Sequence, residues 1–295
     1  MSNKDKEHFQ ENSPFYFPLE VTPRKGRLPI SREDYENKPS GDIFGKIQDA
    51  GMRWNHKDVN QSEFLIMSTA GGLKNGEETL ALGMHSGHFE LGDAAKVAAS
   101  AFKSRSTKPY YVSVSDPCDG RTQGTTGMMN SLAYRNHAAT VLGDLRRSLP
   151  NRKGVMGIAT CDKGLPAMMM ALANEADLPT IIMPGGVTLI AKGIKDLGSV
   201  QSLPSLVSHR EISLAEAQSQ GCASCGTPGG GCHFLGTAAT SQVVAEALGM
   251  ALPHSALAPS GGKIWYALAE DSALALVNLA ENNIYTSQIL TQDAV

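Results

Sequence analysis

The sequence predicts an α/β fold in which a parallel β-sheet is flanked by helices. Short apolar runs rich in β-branched residues alternate with longer amphipathic runs of helical period. This alternation is typical of parallel sheets, because each helix carries the chain back to the start of the next strand. The composition is ordinary for a globular protein, with 41% hydrophobic and 19% charged residues in 295. A chain of this length is long enough to bury a substantial core.

The first half of the alternation predicts two strands and two helices. Strands are expected at 64–69 and 110–115, where β-branched and aromatic residues are frequent. Helices are expected at 88–104 and 126–149. The first of these helices has an apolar face, which comprises Leu91, Ala94, Ala95, Ala98 and Phe102.

The second half predicts two further strands, at 154–160 and 179–183, which are apolar enough to be buried on both faces. Residues 185–231 are rich in glycine and are expected to be mostly loop. The remaining expected helices lie at 165–176, 214–219, 238–248 and 271–281.

Residues 1–40 differ from the rest of the chain. They are polar, interrupted by proline and without clear periodicity, so we expect an arm packed on the surface or on a partner subunit. Residues 41–295 are expected to form the α/β domain.

Charge and hydropathy exclude several classes of function. The formal net charge of −3 gives no electrostatic reason to expect nucleic-acid binding. The longest apolar run, 167–173, is far too short to span a membrane. The first eleven residues are polar and lack the apolar stretch of a signal peptide. We therefore expect a cytoplasmic protein that does not contact membranes.

The five cysteines are odd in number, which argues against a disulfide framework in a cytoplasmic chain. Two of them precede an aspartate directly after a predicted strand. Cys118–Asp119 lies in a glycine-rich segment, and its other interpretation is a turn with a buried thiol. Thiolates suit iron–sulfur clusters or zinc, whereas carboxylates suit Mg²⁺.

The second pair, Cys161–Asp162, is followed by Lys163. Taken alone, Asp162 would be interpreted as a helix N-cap and Lys163 as a solvated charge. Because ligands bind at the carboxyl ends of strands in open α/β sheets, two such pairs after two strands indicate one binding site.

Cys232 follows three glycines at the start of a predicted helix, where the helix dipole lowers a thiol pKa. The alternative is a flexible loop with an incidental cysteine. Cys222 and Cys225 have the spacing of zinc or redox sites, but no second pair completes a zinc ribbon. His88 and His254 are interpreted as hydrogen-bonded structural histidines.

Taken together, these motifs resemble the dihydroxy-acid dehydratase and phosphogluconate dehydratase family. Its marks here are Cys-Asp-Lys-Gly-Leu-Pro at 161–166, Pro-Gly-Gly at 184–186 and the Gly-Cys-x-x-x-Gly-Thr-Ala block at 231–238. The xylonate dehydratase branch is indicated by the string at 115–128 and by similar blocks, which lie at 39–45 and 242–249.

The resemblance implies the amino-terminal domain of that fold, with cofactors held by specific residues. Three cysteine thiolates hold an iron–sulfur cluster, a [2Fe–2S] rather than a [4Fe–4S] cluster, and Mg²⁺ lies beside it. Carried over by motif, Cys161 and Cys232 are cluster ligands. Asp119, Asp162 and Lys163 are Mg²⁺ ligands, with Lys163 carbamylated.

This chain departs from the family pattern in two ways. The third family cysteine lies upstream, where residues 84–91 contain none, so Cys118 is our hypothesis for that ligand. Family members are also roughly twice as long, and their fourth Mg²⁺ ligand and catalytic serine base come later. The resemblance therefore implies a truncated chain, with the base outside it.

The implied reaction is β-elimination of water from an aldonic acid to give a 2-keto-3-deoxy sugar acid. Xylonate is the substrate that the resemblance favours. The enzyme would be a lyase acting on a small-molecule substrate, and the family implies a homodimer. The same reaction on arabinonate, phosphogluconate or a branched-chain dihydroxy acid is an alternative. Others are a non-catalytic iron–sulfur or metal-binding module, and a structural subunit without iron.

Overall fold

The computed structural model describes residues 22–85, 87–190, 192–193, 197–224, 231–232, 236 and 238–295. The chain divides into two compact units, Met1–Asn60 and Gln61–Val295. Residue 40, where we expected the arm to end, is the first residue of a helix inside the first unit. A separate arm at 1–40 stays a prediction.

The described part of the first unit contains two helices, α1 (Arg32–Asn37) and α2 (Ser40–Gly51). Ser31 caps α1, because its hydroxyl accepts a hydrogen bond from Asp34 N while the Asp34 carboxylate accepts one from Ser31 N. This reciprocal capping box explains why so short a polar segment is helical.

The second unit is built on a four-stranded sheet in the order β4-β1-β5-β6, and all three pairings are parallel. The predicted parallel sheet is therefore confirmed. Its strands are β1 (Glu63–Ser68), β4 (Lys108–Ser113), β5 (Arg152–Ala159) and β6 (Thr180–Pro184).

Ten helices are described in this unit. Those that pack on the sheet are α3 (His88–Ser104), α5 (Met128–Arg147), α6 (Gly164–Ala173), α10 (Ala238–Ala247) and α11 (Lys263–Glu281). The shorter ones are α4 (Asp119–Thr122), α7 (Leu197–Gln201), α8 (Leu203–Ser208), α9 (Leu214–Ala223) and α12 (Thr286–Ile289). No described helix is both long and apolar enough to cross a membrane.

Both faces of the sheet are covered. Phe64 and Ile66 of β1 pack with α3 and α11, whereas Leu65 and Met67 of the same strand pack with α5, α6 and α10. Alternate residues of one strand thus enter different cores, which is why the strand sequences read as continuous apolar runs.

The strand order places the functional loops side by side. The chain runs from central β1 outward to β4 and then returns across β1 to β5. In open α/β sheets, ligands bind beyond the carboxyl ends of the strands at such a reversal. The segments after β4 and β5 carry the two Cys-Asp pairs.

Several elements differ from the sequence prediction. A hairpin of β2 (Leu73–Asn75) and β3 (Glu78–Ala81) is solvent-exposed and has no apolar alternation to reveal it. Helices α7 and α8 lie in the segment expected to be loop. Helix α11 begins at Lys263 rather than near 271, since buried Trp265 anchors a first turn whose aromatic residues have little intrinsic helix propensity.

Candidate functional site

The site begins with two sharp turns at the carboxyl end of the sheet. After β4 the chain reaches Cys118, and α4 starts at the next residue, Asp119. After β5 it passes through Cys161, whose backbone is left-handed with φ of 70°, and α6 starts at Gly164. A left-handed conformation is uncommon for a residue other than glycine and often marks a functional turn.

The three cysteines predicted as cluster ligands lie together. The Cys161 thiol is hydrogen-bonded to both Cys118 and Cys232, and Cys161 is 3% exposed. Its interaction with the Cys161 thiol lowers the pKa of Cys118 to about 6. The same interactions, with burial, raise the pKa of Cys161. Cys118 is thus the thiol that ionises more readily, and Cys161, which stays protonated, interacts with both Cys118 and Cys232.

Cys232 reaches this position because two backbones approach closely. A Cβ added to Gly231 would lie 2.4 Å from the carbonyl oxygen of Gly186. Thr188 N donates to Gly231 O at 2.8 Å, and the Gln242 side chain hydrogen-bonds to both backbone groups of Gly186. The glycines after β6 and before Cys232 therefore serve to bring that cysteine to Cys161.

The three residues predicted to bind Mg²⁺ also lie together. Lys163 Nζ donates to Asp119 Oδ2 at 2.6 Å and to Asp162 Oδ2 at 3.3 Å. The Ser131 hydroxyl of α5 donates to Asp119 Oδ1. The Cys161 thiol donates to Asp162 Oδ1 at 3.0 Å. This hydrogen bond links the three cysteines to the three predicted Mg²⁺ ligands.

The two carboxyl groups differ in acidity. Burial opposes ionisation of Asp119, but hydrogen bonds from Asp162, Lys163 and Ser131 outweigh it and lower its pKa to about 2. Burial and the neighbouring Asp119 raise the pKa of Asp162. Burial opposes the charge on Lys163, yet the two carboxyl groups outweigh it and raise the lysine pKa. The lysine cation is therefore held between two carboxyl groups that would otherwise repel.

All six predicted ligand side chains thus meet in one cluster. Cys222 lies in α9 and is exposed, and Cys225 lies outside the described residues. The metal-binding roles of the six remain predictions.

A second buried cluster adjoins this one, made of His85, His88 and Asp116. Their ligand atoms lie within 4.8 Å of one another, a spacing that could hold a metal ion. However, Nδ1 of His88 accepts from Met84 N at 3.0 Å, and Nδ1 of His85 accepts from Gly87 N at 3.1 Å. In the neutral rings each Nε2 therefore carries the proton and has no free lone pair for a metal.

His88 Nε2 instead donates to Asp116 Oδ1 at 2.9 Å, as expected for a hydrogen-bonded structural histidine. His85 Nε2, at 3.8 Å from the same oxygen, has no hydrogen-bond partner among the described residues. Burial raises the pKa of Asp116.

Sequence reasoning missed Ser131 and Asp116. Ser131 lies in a helix predicted only by its period, and a lone serine gives no chemical signal. Asp116 stands two residues before Cys118, so its position directly after a strand could have identified it.

A surface cavity of about 480 Å³ lies elsewhere. It is lined by residues of α10 and the loop at 253–257. Glu246 on its wall is already engaged, because its carboxylate accepts from the backbone N–H groups of His254 and Ala256. None of the six predicted ligands lines this cavity.

The sequence matches known proteins over most of its length. Residues 78–295 match the family described as dihydroxy-acid/6-phosphogluconate dehydratase, N-terminal. The chain is 51% identical over 271 residues to the D-xylonate dehydratase YjhG of Escherichia coli K12, which covers 92% of this chain and 41% of that protein. It is 50% identical over 272 residues to the D-xylonate dehydratase YagF of the same organism, covering 92% and 42%.

A more distant match is the dihydroxy-acid dehydratase of Caldanaerobacter subterraneus, 31% identical over 214 residues that cover 70% of this chain and 37% of that protein. The chain thus spans about two fifths of the length of the relatives it matches.

Proposed function

Because this chain belongs to the dihydroxy-acid/6-phosphogluconate dehydratase family, we propose that it removes water from a sugar acid, xylonate first. An iron–sulfur cluster and Mg²⁺ would bind at the six-residue cluster. The observation that carries the proposal is the contact between a predicted cluster ligand and a predicted Mg²⁺ ligand. The Cys161 thiol donates a hydrogen bond to the Asp162 carboxylate.

The three cysteines fit an iron–sulfur cluster. The Cys161 thiol interacts with those of both Cys118 and Cys232, so the three side chains as thiolates would face a shared metal group. Fewer than four cysteines would leave an iron with room for a substrate oxygen. The lowered pKa of Cys118 favours the thiolate that such ligation needs.

The carboxyl groups fit Mg²⁺. Oxygen ligands are what Mg²⁺ prefers, and Asp119 and Asp162 approach closely enough to hydrogen-bond. The Lys163 ammonium pairs with both carboxyl groups, so positive charge is favoured at the position that they face. The buried hydroxyls of Thr69 and Thr160, at the carboxyl ends of β1 and β5, have no hydrogen-bond partner among the described residues. The site therefore has polar atoms to spare for a ligand.

The reaction requires loss of a proton from C2 and hydroxide from C3, which leaves an enol that tautomerises to the 2-keto-3-deoxy acid. When bound, the cluster and Mg²⁺ would supply Lewis acidity for the hydroxyl, the carboxylate and the developing enolate. The residues of this chain hold that arrangement. Asp119 is oriented by Ser131, and Asp162 is fixed by Cys161. We assign the proton-abstracting base to no residue of this chain.

Xylonate is the first substrate to test, because the two relatives that are half identical to the chain are named xylonate dehydratases. The more distant relative is named for a dihydroxy acid, which keeps branched-chain substrates as an alternative. A non-catalytic iron–sulfur module is less well supported, since it gives no role to the carboxyl groups in contact with the thiols. Homo-oligomerisation and a cytoplasmic location stay predictions.

The test is an anaerobic assay of xylonate dehydration with Mg²⁺, followed through the 2-keto-3-deoxy product. Arabinonate, phosphogluconate and a branched-chain dihydroxy acid serve as competing substrates. The chain is assayed alone and with the carboxy-terminal part of a xylonate dehydratase, because it spans two fifths of its relatives. Faster turnover of xylonate than of the other acids supports the proposal. No product from iron-loaded chain in either form would overturn it.

A further inference from the structure

Asp116 is a buried carboxyl group that connects two parts of the chain. It is 2% exposed and follows β4, two residues before Cys118. Its Oδ1 accepts from His88 Nε2 at 2.9 Å, and its Oδ2 accepts from Gly164 N at 3.2 Å. It therefore joins the segment of the first Cys-Asp pair to the segment of the second.

The bond to Gly164 replaces a helix cap. Lys163 occupies the N-cap position of α6 but makes no side-chain capping bond. Asp116 supplies the acceptor from another segment, where a carboxylate near a helix N-terminus is favourable. Gly164 leaves the space for it, because an added Cβ would lie 2.8 Å from Asp116 Cγ and 2.9 Å from its Oδ2.

His88 fixes the orientation of this carboxyl group. It is the first residue of α3 and is fully buried. Met84 N donates to its Nδ1, so the ring cannot exchange its donor and acceptor nitrogens without losing that bond. Its Nε2–H is thereby directed at Asp116, which leaves Oδ2 to face Gly164.

We infer that Asp116, oriented by His88, is a positioning residue that sets the spacing between the two Cys-Asp halves of the candidate metal centre. The inference rests on the proposed function for the identity of the metals. The spacing does not depend on which metals bind, because the thiols of Cys118 and Cys161 interact directly. Groups that support metal ligands typically contribute about 10–100-fold to metal affinity.

Asp116→Asn tests the link with little change of volume. Its amide has one acceptor, whereas the two donors from His88 and Gly164 need two. One link must therefore break. His88→Leu removes the orienting donor, and His88→Gln restores an N–H directed at Asp116. Glu175→Gln is the matched control, because Glu175 is a carboxylate paired with Arg146 and Arg152, none of which belongs to the site.

The experiment uses chains carrying Cys222→Ser and Cys225→Ser, so that only the three site cysteines react. The first readout is the rate at which dibromobimane crosslinks Cys118 to Cys161 in metal-free protein, mapped by mass spectrometry. The second is iron and sulfide content after anaerobic reconstitution, with the visible spectrum. We expect Asp116→Asn and His88→Leu to slow crosslinking by about tenfold, because an intramolecular reaction loses rate when its two groups are no longer held in place.

Iron content should fall in the same two variants, His88→Gln should recover both readouts, and Glu175→Gln should retain them. Wild-type crosslinking in Asp116→Asn would overturn the inference and leave the proposed function standing. Equal losses in Glu175→Gln would also overturn it, since the effect would be general. If even the wild type takes up no iron while Asp116→Asn still slows crosslinking, the proposed function fails and the positioning role stands.

Discussion

Lys163 Nζ lies 2.6 Å from Asp119 Oδ2, which pairs a lysine that follows β5 with an aspartate that follows β4. The two residues are far apart in sequence and meet because their strands end at the same edge of the sheet, on either side of β1. The pair therefore marks the point at which the topology assembles the candidate site.

Ser131→Ala should weaken binding of Mg²⁺ by about tenfold, because the hydroxyl that orients Asp119 is lost. Stability should change by no more than about 1 kcal/mol, the net value of an ordinary hydrogen bond. Isothermal titration of metal-free chain with Mg²⁺ measures the affinity. Ser255→Ala is the control, since its buried hydroxyl donates to Leu252 O. Equal Mg²⁺ affinity in both variants would contradict the role of Ser131.

Cys118→Ser should lower the iron and sulfide content of reconstituted protein and alter its visible spectrum, because a serine hydroxyl is a poor ligand for iron in place of thiolate. Cys222→Ser should leave both unchanged, since Cys222 is exposed in α9 and is not among the side chains that interact with Cys118 or Cys161. A Cys118→Ser chain that is fully loaded and spectrally unchanged would remove Cys118 from the ligand set.

His85 should make the chain sensitive to acid. Burial, His88 and Arg121 lower its pKa to about 3 from the ordinary value of 6.5. The unfolded chain therefore binds this proton more readily. Above pH 6.5 His85 is neutral in both the folded and the unfolded chain. As pH falls from 6.5 toward 3, its protonation in the unfolded chain lowers the free energy of unfolding by about 1.4 kcal/mol per pH unit.

Urea unfolding of wild type and His85→Gln between pH 7 and about pH 5 measures this contribution. Asp116, with its raised pKa, contributes the opposite slope, so the comparison is the difference between the two chains. That difference should shrink or reverse in favour of the variant as pH falls. A constant difference would contradict the lowered pKa.

Gly185→Ala should destabilise the chain by about 1–3 kcal/mol, the usual cost of overpacking. Its Cβ would lie 2.3 Å from Thr160 Cβ, beside the turn that carries Cys161. Gly143→Ala in α5 meets only Arg147 NH1 at 3.6 Å and should stabilise by up to about 1 kcal/mol. Denaturant unfolding midpoints decide this, and destabilisation of similar size in both variants would refute the packing argument.

The sequence predicted the sheet and the meeting of the Cys-Asp pairs because both follow from local patterns. Alternating residues of β1 enter two cores, which makes the strand recognisable as an apolar run. The helix at His88–Ser104 was predicted with its observed bounds, since its apolar face has a clear period.

The supporting residues were less accessible to sequence reasoning. Ser131 acquires its role only when α5 packs beside α4, and the donor and acceptor nitrogens of His88 are set by a backbone contact with Met84. Such roles depend on tertiary neighbours and leave no periodic signal. The exposed hairpin was missed because it has no apolar alternation. The first turns of α11 were missed because they depend on the burial of Trp265.

We propose that this chain assembles an iron–sulfur centre beside a magnesium site. The most direct test is anaerobic purification, followed by iron, sulfide and zinc analysis with an absorption spectrum. We expect iron and sulfide in near-equal amounts and the visible absorption of a thiolate-ligated cluster. Zinc alone, or no metal under conditions that preserve such clusters, would contradict it.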